Sequence, residues 1–433
     1  MGFMTKIADQ TNEISLPEAM SSKKQAGCRF CGTRLDHTFV DLGMSPLCQS
    51  FVSADHLNHM EPFYPLNVYV CGKCFLVQLQ EYVAPQDIFS DYLYFASYSD
   101  TWLAHVKAYT EKMVQRFPIN ESSLVVEIAS NDGYLLQYFV EKRVPVLGIE
   151  PAANVAAVAM QKGIPSLVQF FNRETARELV AKDQRADLLL GNNVLAHVPD
   201  INDFVAGMKI LLKPTGVITM EFPHLMRLME ENQFDTIYHE HFSYLSFSTV
   251  ERIFAAHGLT LFDVEELRTH GGSLRIYARH EDDKDKSVGP SVAELRAREQ
   301  AAGLGKLETY SRFAEQVKET KRKLLEFLIR AKQNGRTIVG YGAPGKGNTL
   351  LNYCGIGTDF IDYTVDRSPH KQGMFLPGTR IPVFSPDRIR ETRPHYLLIL
   401  PWNLKDEIMR QNSYIREWGG QFVVPIPEVA VFK

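Results

Sequence analysis

Short apolar runs alternate with longer amphipathic stretches in two parts of the chain, and each run has the length of a buried strand. In the first part, residues 86–285, the strand candidates are Leu124–Ala129, Val146–Glu150, Leu188–Asn192 and Val217–Phe222. The second part has candidates at Thr337–Tyr341, Asp362–Asp366 and Tyr396–Leu400. Strands that alternate with helices are typical of parallel sheets. The pattern therefore predicts an α/β protein with two such sheets.

The segment between the two α/β parts has a different pattern. Residues 281–290 are mostly charged, lack periodicity and predict an exposed connection. Residues 291–334 are rich in charged residues, Leu and Ala, and they predict two helices with a break near Gly303 and Gly305.

The composition excludes several classes of function. The chain has 433 residues, with 47 Lys and Arg against 51 Asp and Glu, and a net charge of −4. Nucleic-acid binding calls for a basic face, so we expect no nucleic-acid partner. There is no run of about 18 apolar residues, so we expect no membrane span. Met1–Lys24 is polar and lacks the apolar region of a signal peptide. This predicts a flexible lead over residues 1–24, with a docking tail as the alternative, and a cytoplasmic protein.

Two CxxC pairs, Cys28 with Cys31 and Cys71 with Cys74, predict a metal site near the N-terminus. Each pair lies in a turn with a glycine, and two such turns can supply the four thiolates that zinc prefers in a closed structural site. A redox CxxC or unrelated free thiols are the alternatives, and Cys48 is either a substitute ligand or an ordinary buried cysteine. The spacing alone does not distinguish zinc from iron.

The segment from Val125 to Leu136 runs from a strand through a small polar turn into a helix. Gly133 lies in the turn, and the next strand ends at Glu150, 17 residues later. A carboxylate at this place accepts hydrogen bonds from ribose hydroxyls in nucleoside-binding sheets. The turn lacks a GxGxxG motif, which favours a methyl donor without phosphate over a dinucleotide; an ordinary α/β turn is the alternative.

Four consecutive proton-handling residues, from Tyr238 to His241, predict acid–base chemistry. Histidine titrates near neutrality, and a neighbouring Glu240 can orient the ring. His197 follows a predicted strand, where open α/β sheets bind ligands. A solvated loop or a satisfied buried histidine is the alternative, and a zinc site is less well supported because adjacent residues do not face a common centre.

A second glycine loop, at residues 340–348, follows a predicted strand and contains GxGxxG at positions 340, 342 and 345. Asp366 ends the next strand, as a dinucleotide site requires, whereas Pro344 is unusual for one. Lys346 can serve as a point charge for a phosphate. The loop therefore predicts binding of NAD(P) or a sugar nucleotide, with a plain tight turn as the alternative.

Six motifs in this order resemble the sugar C-methyltransferases of deoxysugar biosynthesis, and are most similar to the dTDP-sugar 3-C-methyltransferases: CRFCG with VCGKC, VVEIASNDGYLL, NNVLAH, YHEHFSYLS, HGGSLR and GYGAPGKGNTLLN. The resemblance implies a small zinc-binding N-terminal domain (residues 25–85), a central Rossmann-like S-adenosylmethionine-dependent methyltransferase domain (86–290) and a C-terminal Rossmann-like domain (291–433). It also implies that the second glycine loop binds a sugar nucleotide and not NAD.

The resemblance carries functional residues onto this chain. It implies catalytic positions at Tyr238, Glu240, His241 and His197, and donor-binding positions at Glu127, Ala129, Asn131, Gly133, Glu150 and Asn192. It implies contacts with a sugar nucleotide at Gly342, Lys346 and Asn348. The expected reaction is removal of a proton beside the keto group of a 4-keto sugar by His241, oriented by Glu240, and methylation of the resulting enolate.

We expect S-adenosylmethionine as cosubstrate, structural Zn²⁺, a nucleotide-linked ketosugar as substrate, no membrane partner and a monomer. Two other functions stay open at this point. One is an NAD-dependent sugar-nucleotide oxidoreductase that uses the second loop. The other is a non-catalytic zinc-ribbon adaptor that binds a nucleotide.

Overall fold

The computed structural model describes residues 27–89 and 95–433, and these residues form three β-sheets of four, seven and six strands. The lead predicted for residues 1–24 lies outside the described residues. None of the described helices is long and apolar enough to cross a membrane.

The first sheet belongs mainly to the N-terminal segment. Its strands β1 (His37–Ser45), β2 (Tyr64–Val70) and β3 (Val77–Leu79) form an antiparallel meander. A short helix α1 (Pro85–Phe89) follows. The fourth strand, β9 (Ser243–Tyr244), comes from much later in the chain and pairs with β3 through Val77 opposite Tyr244. The catalytic candidates at 238–241 therefore lead directly into the N-terminal sheet.

The second sheet has five parallel strands and two antiparallel strands at one edge. Its strands are β4 (Val125–Ile128), β5 (Val146–Ile149), β6 (Ser166–Leu167), β7 (Ala186–Asn192), β8 (Leu212–Pro223), β10 (Leu259–Leu267) and β11 (Ser273–His280). They lie in the order β10-β11-β8-β7-β4-β5-β6. Every residue of β4 is buried, as is typical of a central strand in a parallel sheet covered on both faces.

Seven helices, α2 to α8, belong to this second unit. They are α2 (Asp100–Arg116), α3 (Leu136–Glu141), α4 (Ala153–Gln161), α5 (Arg173–Ala181), α6 (Ile201–Leu211), α7 (Leu225–Glu230) and α8 (Phe247–Ala256). The starts of the longer helices follow from N-cap side chains. Asn172 accepts a hydrogen bond from the Thr175 amide to begin α5, and Asp200 does the same for α6.

The third sheet confirms the second α/β pattern predicted from the sequence. Its order is β14-β13-β12-β15-β16-β17, parallel except for the last strand. The strands are β12 (Ile338–Tyr341), β13 (Thr364–Val365), β14 (Val383–Phe384), β15 (Tyr396–Ile399), β16 (Gln421–Val424) and β17 (Ala430–Phe432). The helices are α9 (Pro290–Ala301), α10 (Leu307–Ser311), α11 (Phe313–Gln333), α12 (Gly345–Cys354), α13 (Arg388–Thr392) and α14 (Lys405–Gln411).

The core of the N-terminal sheet is continuous with that of the C-terminal unit. Phe39 in β1 stacks on Phe313 with ring centroids 4.6 Å apart and contacts Tyr310 edge-on. Cys28 and Cys71, in contrast, pack with buried residues of the central sheet. The small N-terminal unit thus packs against both larger units, and all three surround the candidate site.

Candidate active site

The four cysteines of the two CxxC pairs come together in a single cluster. Their sulfur atoms all lie within 4.8 Å of one another, and the Cys28–Cys74 and Cys31–Cys71 separations are both 3.6 Å. Tetrahedral zinc with Zn–S bonds of about 2.3 Å would place its sulfur ligands about 3.8 Å apart. The cluster therefore fits a closed structural zinc site.

A cavity of about 580 Å³ lies at the carboxyl ends of the central strands, where α/β sheets bind ligands. Four of the six predicted donor residues line it: Ala129, Asn131, Glu150 and Asn192. The Glu150 carboxylate accepts hydrogen bonds from two main-chain N–H groups, that of Asn131 at 3.0 Å and that of Ala152 at 2.9 Å. This carboxylate both shapes the turn and presents oxygen atoms to the cavity.

The turn that carries Asn131 has an unusual backbone. Ala129 and Asn131 have φ angles of 58° and 50°, in the left-handed region that residues other than glycine seldom adopt. Such strain collects at ligand sites, where the surrounding structure enforces it. The Asn131 side chain is fixed by the Ala96 amide, which donates to its Oδ1 at 2.9 Å.

Glu127 and Gly133 do not line the cavity. Glu127 is fully buried in β4, and burial raises the pKa of its carboxyl group well above the usual range. A Cβ atom at Gly133, whose φ is 75°, would lie 2.3 Å from the Cδ1 of Ile164. The glycine is therefore required for packing of the turn against neighbouring side chains.

Three of the four residues in the Tyr238–His241 segment line the same cavity as Glu150. The His241 ring lies 4.1 Å from the Tyr238 ring and 4.7 Å from the His197 ring, measured between centroids. His239 is turned away, because its Nε2 contacts the Pro65 carbonyl oxygen at 3.2 Å. The structure thus brings Tyr238, His241 and His197 into one cluster in the cavity that the predicted donor residues line.

The His241 ring is oriented by the main chain. Its Nδ1 lies 2.7 Å from the carbonyl oxygen of Thr236, where we expected the Glu240 side chain to act. A carbonyl only accepts hydrogen bonds, so Nδ1 carries the proton and Nε2 keeps its lone pair. The Oε1 of Glu240 instead accepts a hydrogen bond from the Cys48 thiol at 3.2 Å.

The two histidines of this cluster, His197 and His241, are neutral at pH 7. Burial, followed by the neighbouring His197 ring, holds the pKa of His241 well below its ordinary value. Burial also lowers the pKa of His197 to about 4, although a hydrogen bond with the Glu240 main chain acts against it. A neutral imidazole is the form that accepts a proton, so either ring is available as a base.

The second glycine loop contributes one of its three predicted residues to the cavity. Lys346 lines the cavity and donates to Asn403 at 2.8 Å, whereas Gly342 and Asn348 do not line it. A Cβ at Gly342 would lie 2.6 Å from Pro401, so this glycine serves packing. Asp366, the acid of the dinucleotide fingerprint, accepts from the loop's own Ala343 amide at 2.7 Å.

Several cavity residues were not identified from the sequence. Gln49 reaches the cavity from the N-terminal unit, Trp102 from α2 and Lys371 from the C-terminal unit. His270 lines the cavity too, and its HGGSLR motif was the only signal that could have indicated it. All three units therefore contribute to one site.

Three family models match the chain in the order of its structural units. A zinc binding domain matches residues 28–89, a methyltransferase domain residues 102–264 and a C-methyltransferase C-terminal domain residues 268–427. The C-methyltransferase NovU of Streptomyces niveus is 36% identical over 406 residues, which is 94% of this chain and 96% of that protein.

More distant similarities are limited to part of the chain. A ubiquinone biosynthesis O-methyltransferase of Rhodopseudomonas palustris strain TIE-1 is 28% identical over 100 residues, 23% of this chain and 40% of that protein. The solved structure of a methyltransferase from Anabaena variabilis, 14% identical, has a TM-score of 0.34 over 41% of this chain and 86% of its own. The similarity to NovU, in contrast, extends through the zinc cluster, the donor turn and the histidine cluster. The chain therefore belongs to the S-adenosylmethionine-dependent C-methyltransferases, with a structural zinc site in its N-terminal unit.

Proposed function

We propose that the enzyme methylates a carbon next to the keto group of a nucleotide-linked 4-keto-deoxysugar, with C3 of a dTDP-sugar as the expected position. The observation that carries this proposal is a neutral, buried histidine, His241, in the same cavity as the donor carboxylate Glu150. A carbon beside a ketone must lose a proton before it can attack a methyl group, so this reaction requires a base. The proximity of base and donor site also argues against a non-catalytic adaptor.

The reaction begins with proton transfer from carbon to nitrogen. Nε2 of His241 takes the proton from the carbon beside the ketone, and the electron pair of the broken C–H bond moves onto the keto oxygen as an enolate. A hydrogen bond or a positive charge at that oxygen lowers the barrier. Tyr238 and His197 are the candidates for the hydrogen bond, because both lie against the His241 ring.

Methyl transfer completes the reaction. The donor supplies an electrophilic methyl group on a sulfonium. The enolate carbon forms the new C–C bond as the S–CH₃ bond breaks, and S-adenosylhomocysteine leaves. We assign donor binding to Glu150 and Asn131, which line the cavity. Holding the donor and the acceptor in a fixed orientation in one cavity would supply much of the rate.

The nucleotide end of the substrate is assigned to the C-terminal unit. Lys346 lies in the first turn of α12, where main-chain amides and the helix dipole favour an anion. Burial lowers the pKa of Lys346, and the nearby Asp235 carboxylate acts against that shift. A phosphate of the sugar nucleotide is the ligand that this charge would bind.

The test is incubation of the enzyme with methyl-labelled S-adenosylmethionine and a panel of 4-keto sugar nucleotides. We expect one acceptor to gain a single methyl group on carbon, located by NMR and mass measurement. The matched control is dTDP-glucose, which lacks the ketone and should gain nothing. Labelling of oxygen or nitrogen, or equal labelling of dTDP-glucose, would contradict the enolate mechanism.

A further inference from the structure

His270 lies between β10 and β11 and lines the active-site cavity, yet the mechanism above gives it no role. Its φ angle is 54°, in the left-handed region, although it is not a glycine. Gly271 and Gly272 follow with φ angles of 89° and 115°. A histidine is held in this conformation only where its surroundings enforce it.

Three parts of the molecule enforce the conformation of His270. The hydroxyl of the preceding Thr269 donates to the carboxylate of Glu221 at 2.7 Å. The side chain of Gln233 donates to the carbonyl of Gly271 at 2.6 Å. A Cβ atom at Gly271 would lie 2.5 Å from the Trp402 ring of the C-terminal unit, so the segment is closely packed on that side as well.

The Glu221 carboxylate, which accepts the hydrogen bond from Thr269, is itself fixed in position. It is completely buried and receives hydrogen bonds from Arg275 at 2.7 Å and from His105 at 2.9 Å. Burial alone would raise the pKa of Glu221, but His105 and Arg275 bring it down to about 2. The carboxylate is therefore ionised throughout the neutral range and holds Thr269 in place.

The imidazole of His270 presents an unsatisfied polar atom. Its Nδ1 is buried and has no hydrogen-bond partner among the described residues. The ring packs edge-on against Trp102, with centroids 5.2 Å apart, and Trp102 lines the same cavity. Buried polar atoms are nearly always paired, so an unpaired one at a cavity wall is where a ligand would complete the bonding.

The charge around His270 restricts what this ligand group can be. Burial, followed by the positive charge of Lys346, lowers the pKa of the His270 ring to about 4, so the ring is neutral. A neutral imidazole adds no repulsion next to the sulfonium of the donor. It suits a neutral oxygen, such as a hydroxyl or a ketone, better than a phosphate, for which a cation is the stronger partner.

We propose that His270 binds the acceptor sugar through a hydrogen bond to one of its oxygen substituents and so helps to select the acceptor. The inference rests on the proposed function, since it takes a sugar as the acceptor. His270 lines the same cavity as His197 and His241, so an acceptor held beside these two rings lies within the cavity that His270 faces. The strained backbone is the means by which the ring is directed there.

The test is His270→Gly, because glycine keeps the left-handed backbone and removes only the imidazole. The matched control is Arg393→Gly, which removes an exposed side chain from another left-handed residue, with φ of 47°. The probe is dTDP-4-keto-6-deoxyglucose. We expect kcat/KM for this probe to fall about 10- to 100-fold in His270→Gly, chiefly through KM, the loss of one buried hydrogen bond. Arg393→Gly should match wild type.

Two further readouts separate binding of the sugar from a structural role. S-adenosylhomocysteine affinity and the melting temperature should stay within error of wild type, and free imidazole should restore part of the lost activity. His270→Asn, which also tolerates the left-handed backbone, should retain more activity than His270→Gly. An unchanged KM for the probe, or an equal loss of affinity for S-adenosylhomocysteine, would overturn the proposal.

Failure of the C-methylation proposal can be distinguished from failure of the His270 proposal by measuring binding of the probe separately from its methylation. If wild-type enzyme binds the probe in calorimetry but does not methylate it, the C-methylation proposal fails for that acceptor. Comparison of probe binding between wild type and His270→Gly would then still decide the role of His270. If wild type binds none of the 4-keto sugar nucleotides of the panel, both proposals are overturned.

Discussion

Replacement of His241 by asparagine tests the proposed base most directly. The ring is held by its Nδ1 proton on the Thr236 carbonyl at 2.7 Å, which leaves Nε2 as the only nitrogen able to accept a proton. Asparagine can keep the bond to Thr236 but has no basic nitrogen. We expect a loss of about 100-fold or more in turnover, the usual contribution of a positioned base, which corresponds to about 2.7 kcal/mol in the barrier.

The pH dependence of proton removal follows from the surroundings of His241. Burial, followed by the His197 ring, lowers the pKa of His241. The base works when it is deprotonated, so a lowered pKa keeps it active as the pH falls through about 6.5, the ordinary value for histidine. The rate should therefore stay level down to about pH 6 and decline only in more acidic solution.

The assay is solvent deuterium exchange at the carbon beside the ketone, with S-adenosylhomocysteine in place of the donor. It reports proton removal without methyl transfer. His239→Asn is the matched control, because His239 faces Pro65 and not the cavity, and its exchange rate should equal that of wild type. Equal exchange in His241→Asn and wild type would refute the assignment, and His197 or Tyr238 would become the candidate. If the exchange rate of wild type fell to half near pH 6.5, the pKa of His241 would not be lowered and the argument from its burial would be refuted.

Three further expectations concern the metal, the donor and the junction between units. The double variant Cys28→Ser/Cys71→Ser should lose zinc in metal analysis and melt earlier, and full retention of zinc would disprove the four-cysteine site. Glu150→Ala should weaken donor binding by about 1–3 kcal/mol in calorimetry, the loss expected for charged hydrogen bonds, and an unchanged affinity would disprove the ribose placement. Gly271→Ala should cost about 2–4 kcal/mol of stability, because an added methyl meets an indole ring 2.5 Å away. Gly335→Ala, left-handed but open on all sides, should cost only about 1 kcal/mol in the same denaturation experiment.

Elements built from local runs of buried residues were predictable from the sequence. The β4 residues are all buried and apolar apart from Glu127, and the predicted strand at 124–129 differs from β4 by one residue at each end. The predicted strands also indicate where the site lies, because ligands bind at the carboxyl ends of parallel strands. This rule predicts Glu150 and His197 as site residues, and both line the cavity.

The residues that local patterns could not identify depend on contacts between distant parts of the chain. Lys371 is brought to the cavity by folding of the C-terminal unit, and no motif surrounds it. Gly133 and Gly342 were assigned to ligands from their loops, but their nearest neighbours are Ile164 and Pro401. A sequence indicates that a glycine is present in a turn; only the packed structure shows which atoms a side chain there would meet.

The pairing of β3 with β9 connects the N-terminal unit to the chain segment that directly follows the 238–241 cluster. The Leu79 amide donates to the carbonyl of Phe242, the residue after His241, at 3.0 Å. Cys74 lies three residues before the start of β3, so a short path along the chain and across this pairing joins the cysteine cluster to the proposed base, His241. An exchange of N-terminal units between relatives would consequently have to transfer the 242–245 segment with them. A chelator would be expected to act as an inhibitor without ever entering the cavity.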